Sequence, residues 1–110
     1  MKTTDEKFLR EKENRIKALI SHRDSQIVET FDFLYKHYKL KYLSGKAPTI
    51  VVFNAIYIEK LTLPAWKLAN YCNLSRTTLF NYRNEIVENF NICLNQNIIN
   101  AETAITKEGN

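Results

Sequence analysis

Apolar residues recur along most of this chain at intervals of three and four, the period of a helix that buries one face. Between Asp5 and His22, Phe8, Leu9, Ile16, Leu19 and Ile20 stand among charges and predict an amphipathic helix with a sparse stripe. Its heptad positions degrade to Lys12 and Arg23, which does not support a long coiled coil. From Asp24 to Leu43 the pattern is fuller. Ile27, Phe31, Leu34, Tyr38 and Tyr42 form the stripe, and Val28 and Tyr35 widen it. Ser44-Gly45-Lys46-Ala47 breaks this second helix.

Pro48 suits the first turn of a third helix, where its missing N–H would go unpaired anyway. The run Ile50 to Ile58 is apolar nearly all round, so a strand is the rival reading. Helix is favoured because no partner strand exists elsewhere, and a helix this apolar belongs at the centre of the core. Thr62 offers an N-cap for a short helix over about Leu63 to Tyr71. A break at Cys72-Asn73-Leu74 follows, and Ser75 caps a last helix running to about Phe90 or beyond, with Ile86, Val87 and Phe90 on its apolar face. Beyond about Asn95 the pattern alternates polar and small residues and predicts a fraying tail.

The resulting expectation is an all-α domain of about five helices over residues 1–94. Residues 5–45 form an N-terminal hairpin, 48–94 a helix-turn-helix region, and 95–110 a flexible tail. Composition agrees. Gly45, Gly109, Pro48 and Pro64 are the only glycines and prolines in 110 residues, too few turn residues for an all-β domain. No glycine cluster is present to approach a phosphate in a doubly wound nucleotide fold. The longest apolar run falls far short of a membrane span, the N-terminus lacks the apolar stretch of a signal peptide, and Cys72 and Cys93 read as small buried residues without a disulfide. A cytoplasmic protein without membrane association is expected.

Charge sharpens the picture. The formal net charge is +4, but residues 33–84 hold eight basic side chains and one acid, Glu59, a net +7. The front of the chain is neutral and the end acidic. Such a block suits a polyanion.

That block contains the most informative motif. Ala65 to Asn84, AWKLANYCNLSRTTLFNYRN, matches the helix-turn-helix pattern. Ala69 supplies the small residue where two steeply crossing helices come closest. Leu68, Cys72, Leu74, Leu79 and Tyr82 fall at inward positions, Asn73 occupies the turn position commonly held by glycine, and Ser75 caps the second helix. In such a motif the second helix enters the major groove. Outward positions for base contacts are Arg76, Thr77, Phe80, Asn81 and Asn84. Arg76 has the geometry for guanine and Asn81 for adenine. Lys60, Lys67, Ser75 and Arg83 are candidates for contacts to the DNA backbone.

Asn54 to Phe90 resembles the C-terminal region of small phage transcription regulators of the ArpU type, itself similar to region 4 of bacterial sigma factors. The likeness lies in Tyr57-Ile58-Glu59, in Leu68-Ala69 and in Ser75-Arg76-Thr77. Pro64-Ala65-Trp66 and Asn73 depart from the family pattern, and residues 1–45 lie outside it. The resemblance implies a phage transcription regulator in a bacterial cell, acting at a promoter and touching RNA polymerase.

The alternative is a small interaction module or inhibitor that uses the same scaffold to bind a protein, with Trp66 and Phe80 as anchors. For Trp66 the preferred reading is cover for the core edge. His22, His37, Asp24 and Asp32 form no cluster for catalysis or metal binding, so a binding protein without cofactor is expected instead of an enzyme. The wide stripe from Ile27 to Tyr42 in so short a chain predicts a homodimer formed through residues 5–43.

Overall fold

In a computed structural model describing residues 3–108, the chain forms five helices and, among the described residues, no strand. They are α1 (Thr3–His22), α2 (Ser25–Leu43), α3 (Thr49–Phe53, continued by a π-helical turn, Asn54–Ile58), α4 (Ala65–Cys72) and α5 (Arg76–Glu108). None is long and apolar enough to cross a membrane.

The apolar third segment lies where its composition requires. Ile50, Val52, Phe53, Ala55, Ile56 and Tyr57 are all buried. The Phe53 ring stands at the centre of an aromatic cluster, with centroids 5.1 Å from Phe31, 5.8 Å from Tyr38 and 5.5 Å from Tyr57. The stripe of α2 turns inward onto this cluster and onto α5, burying Ile27, Leu34 and Tyr38. Phe31 and Tyr35 are partly buried against the same core, while Val28 and Tyr42 at the edges of the stripe stay exposed. Helices α2 and α5 run antiparallel. Asn89 Nδ2 donates to the Tyr38 hydroxyl (2.9 Å), and Asn97 Nδ2 donates to Thr30 Oγ1 (2.7 Å). The second of these bonds fastens α5 to α2 three residues past Leu94. The tail expected over 95–110 is helix as far as Glu108, and residues 109 and 110 lie outside the described residues.

A chain with so few glycines must still stop its helices. The residues after α1, α2, the π turn and α4 that adopt left-handed backbone are Arg23, Gly45, Lys60 and Asn73, with φ of 56°, 73°, 56° and 58°. At Gly45 and Asn73 the stops share one pattern. Gly45 N–H donates to Tyr42 C=O and Lys46 N–H to Lys41 C=O; Asn73 N–H donates to Asn70 C=O and Leu74 N–H to Ala69 C=O. Both satisfy the carbonyls that a helix end leaves open. Both prolines stand just before their helices, Pro48 preceding α3, not within its first turn, and Pro64 preceding α4. Thr62 makes no cap, because α4 begins at Ala65 and Pro64 occupies the capping position.

Two buried tyrosines have opposite circumstances. Tyr38 is bonded to Asn89, whereas the Tyr57 hydroxyl lacks a hydrogen-bond partner. Burial pushes the Tyr38 phenol up to about 12 and raises that of Tyr57 further. A raised phenol contributes stability below its unfolded value, about 10, which is lost as pH climbs through the folded value. Stability measured by urea denaturation is therefore expected to fall between about pH 10 and about pH 12. At neutral pH Tyr57→Phe should be neutral or stabilising, while Tyr38→Phe should cost about 1 kcal/mol by stranding Asn89.

Candidate nucleic-acid interface

The α4–turn–α5 unit follows the helix-turn-helix reading in its backbone. Asn73 takes the left-handed conformation at the turn, and Leu68, Ala69, Cys72 and Leu79 are buried. Leu74 and Tyr82 are half-buried against the same core. Ser75 caps α5: its Oγ accepts from the Thr78 N–H (3.1 Å) and donates to Thr78 Oγ1 (2.8 Å). The expected backbone-contact residue Ser75 thus spends its hydroxyl on the helix start.

The outward residues fall into two groups. Arg76, Thr77 and Asn81 are exposed on the first turns of α5. Phe80 and Asn84 are half-buried: Phe80 leans on the core, and Asn84 Nδ2 donates to the Phe80 carbonyl (3.3 Å). They border the exposed face without standing in its middle. Glu88 is exposed one turn beyond Asn84, so an acid bounds the face on that side. Lys60 and Lys67 are exposed, and Lys67 Nζ lies 5.3 Å from the centroid of the Trp66 ring. Trp66 itself is half exposed, so it does not serve as cover for the core edge. Glu59, next to Lys60, accepts a bond from the Tyr71 hydroxyl (2.8 Å).

Arg83 requires a correction. It was expected at the DNA backbone and instead is 1% exposed, on the inner face of α5. Its Nε and Nη2 donate to Glu13 Oε2 (2.9 Å) and Oε1 (2.7 Å), a bidentate pair. Its Nη1 donates to both carboxylate oxygens of Glu6, at 2.8 and 2.7 Å. Burial works against the guanidinium charge, but the bonds and charge of Glu13 and then of Glu6 outweigh it and hold the group charged. Arg10 extends the network, with Nη2 donating to Glu6 and to the Leu63 carbonyl, both at 3.1 Å. A cavity of about 190 Å³ lies beside it, lined in part by Glu13, Lys17, Thr62 and Arg83. Burial lowers the Lys17 ammonium there, and Arg10, Arg83 and Lys60 add to the effect against Glu13.

Arg83's charge is therefore compensated from within, and Lys36 pairs with Asp32 at 2.8 Å. The basic block presents less positive charge to a partner than its net +7 implies. The residues missed from sequence were Glu6, Glu13 and Arg10. A signal existed, since Glu13 stands four after Leu9 and three before Ile16, a core position.

No family model, curated protein or solved structure matches this chain. The likeness of residues 54–90 to ArpU-type regulators rests on the quoted residues alone.

Arg83→Ala is expected to destabilise the fold by about 3–5 kcal/mol, because two carboxylates lose their buried partner. Arg83→Lys should not restore full stability, since an ammonium cannot bridge both carboxylates in the plane. Chemical denaturation reads both. At the turn, Asn73→Val should cost about 1–2 kcal/mol and Asn73→Gly should be close to neutral, as a left-handed backbone penalises side chains branched at Cβ.

Proposed function

We propose that this protein is a sequence-specific regulator of transcription that binds duplex DNA through the first turns of α5. One observation carries the reading. A turn residue in left-handed backbone and a serine cap together set Arg76, Thr77 and Asn81 outward at the start of a helix. No acidic residue lies between Lys60 and Asn84 to repel phosphate. Arg76 and Asn81 read base edges, Thr77 touches a base or its methyl group, and Phe80 and Asn84 close the side of the contact. Lys60, Lys67 and the free amides of the first turn of α5 set the register on phosphates.

The same resemblance supports a phage or mobile-element regulator working in the bacterial cytoplasm, with RNA polymerase as a second contact. Exposed Trp66 and Tyr71 on α4, with Ile58 preceding it, favour as a second reading a protein-binding use of the scaffold.

Sequences selected from random duplex DNA provide the probe. Binding is expected to weaken steeply with salt, and Lys67→Ala should reduce the salt slope by about one. Arg76→Ala should cost about 1–3 kcal/mol, concentrated at one base position. No selectable sequence, or an affinity indifferent to salt, overturns the reading. Loss of partner capture by Trp66→Ala with DNA binding absent would select the protein-binding alternative.

A further inference from the structure

The cavity beside Arg83 draws polar groups from three parts of the chain. Arg10, Glu13, Asn14 and Lys17 come from α1, Thr62 from the segment before α4, and Arg83 from α5. Its volume of about 190 Å³ is ample for a tetrahedral oxyanion, since one water molecule's share of the liquid is only about 30 Å³. The charges around it do not balance. Glu13 is the acid on the wall, and Arg83 holds both its oxygens. Glu6 is held by Arg83 and Arg10. Lys17 and Lys60 are left over, and among the described residues neither ammonium has a hydrogen-bond or ion-pair partner. Glu59, the acid next to Lys60, accepts from the Tyr71 hydroxyl and takes no part in the wall.

Lys17 is the decisive member. It is half-buried, and burial disfavours its ammonium. The charges of Arg10, Arg83 and Lys60 add to that effect, and Glu13 alone opposes them. A desolvated charge is ordinarily paired, and none of the described residues supplies the pair. Hydrogen-bond donors remain as well. Arg10 spends only Nη2, on Glu6 and on the Leu63 carbonyl, which leaves Nε and Nη1. The hydroxyl and the N–H of Thr62 have no partner among the described residues. We infer that this cavity binds a phosphate dianion, free or as the terminal phosphate of a small molecule, through Lys17, the unspent donors of Arg10 and Thr62. The surplus of positive charge selects the class. A phosphate monoester carries about −1.5 to −2 at neutral pH, whereas each diester of a nucleic-acid backbone carries a single negative charge. Because the donors come from α1 and from the segment before α4, a bound dianion ties the two together and stabilises the fold.

The site is independent of the DNA reading, and its test uses the full chain without DNA. Isothermal titration calorimetry with inorganic phosphate, against a chloride background of fixed ionic strength, is expected to show a single saturable site. Amide NMR shifts on titration should cluster at residues 10–17 and 61–63. Lys17→Gln should weaken binding about tenfold, the loss of one charge-assisted bond. Lys12→Gln, at an exposed position of the same helix, should leave it unchanged. Methyl phosphate distinguishes the two sources: binding tighter than that of inorganic phosphate assigns the site to a terminal phosphate, and the reverse assigns it to the free ion. Dimethyl phosphate, which carries the charge of a diester, should bind more weakly than either. No saturable binding, shifts spread over the whole surface, an equal loss in both lysine variants, or dimethyl phosphate bound as tightly as phosphate overturns the inference.

Discussion

The fold is fastened by one buried guanidinium. Arg83 joins the middle of α1 to the front half of α5, and through Arg10 the same network reaches the segment that leads into α4. Arginine and glutamate inside a protein are costly to desolvate, and a pair of this kind is no better for stability than well-packed apolar side chains. Its value lies in selectivity. A leucine stripe tolerates sliding, whereas a bidentate guanidinium–carboxylate pair accepts one register and one rotation. The sparse stripe of α1, chiefly Leu9 and Ile16, would leave that helix poorly specified without it.

This fastening shapes the outer surface as well. Because Arg83 faces inward, the polar face of α5 is carried by Arg76, Thr77 and Asn81 near its start. The same helix continues beyond them as a shaft along α2, held by amide–hydroxyl bonds from Asn89 and Asn97. One helix thus bears two stretches of different chemistry: a polar front led by Arg76, and a run from Asn89 to Ala101 that contains no charged residue.

Much of this architecture was legible in the chain. Helical periodicity placed α1, α2 and the start of α5, and the all-round apolar run at Ile50 to Ile58 correctly signalled the central element. Asn73 and Ser75 disclosed the turn because their side-chain chemistry is local. What escaped reading was non-local. Arg83 lies four residues after Leu79 and three before Ile86, squarely in the buried stripe, yet a charged residue in a basic block reads as surface until its partners are known. Those partners are 70 and 77 positions away, beyond any local pattern. The extent of α5 was hidden for a related reason, since Asn97, which looks like a tail residue, acquires its partner Thr30 on α2 only in the folded chain. Arg23 and Lys60 end their elements in left-handed backbone without being the residue types that advertise it.

The distance between Glu13 and Arg83 also sets a schedule for synthesis. A ribosome adding about 5–20 residues per second releases Arg83 on the order of 4 to 14 s after Glu13. Through that interval Glu6 has Arg10 of the same helix as its ion-pair partner, while Glu13 lacks the guanidinium that later covers it. The bidentate contact that fixes the register of α1 on α5 can therefore form only after nearly all of the core segments have been made.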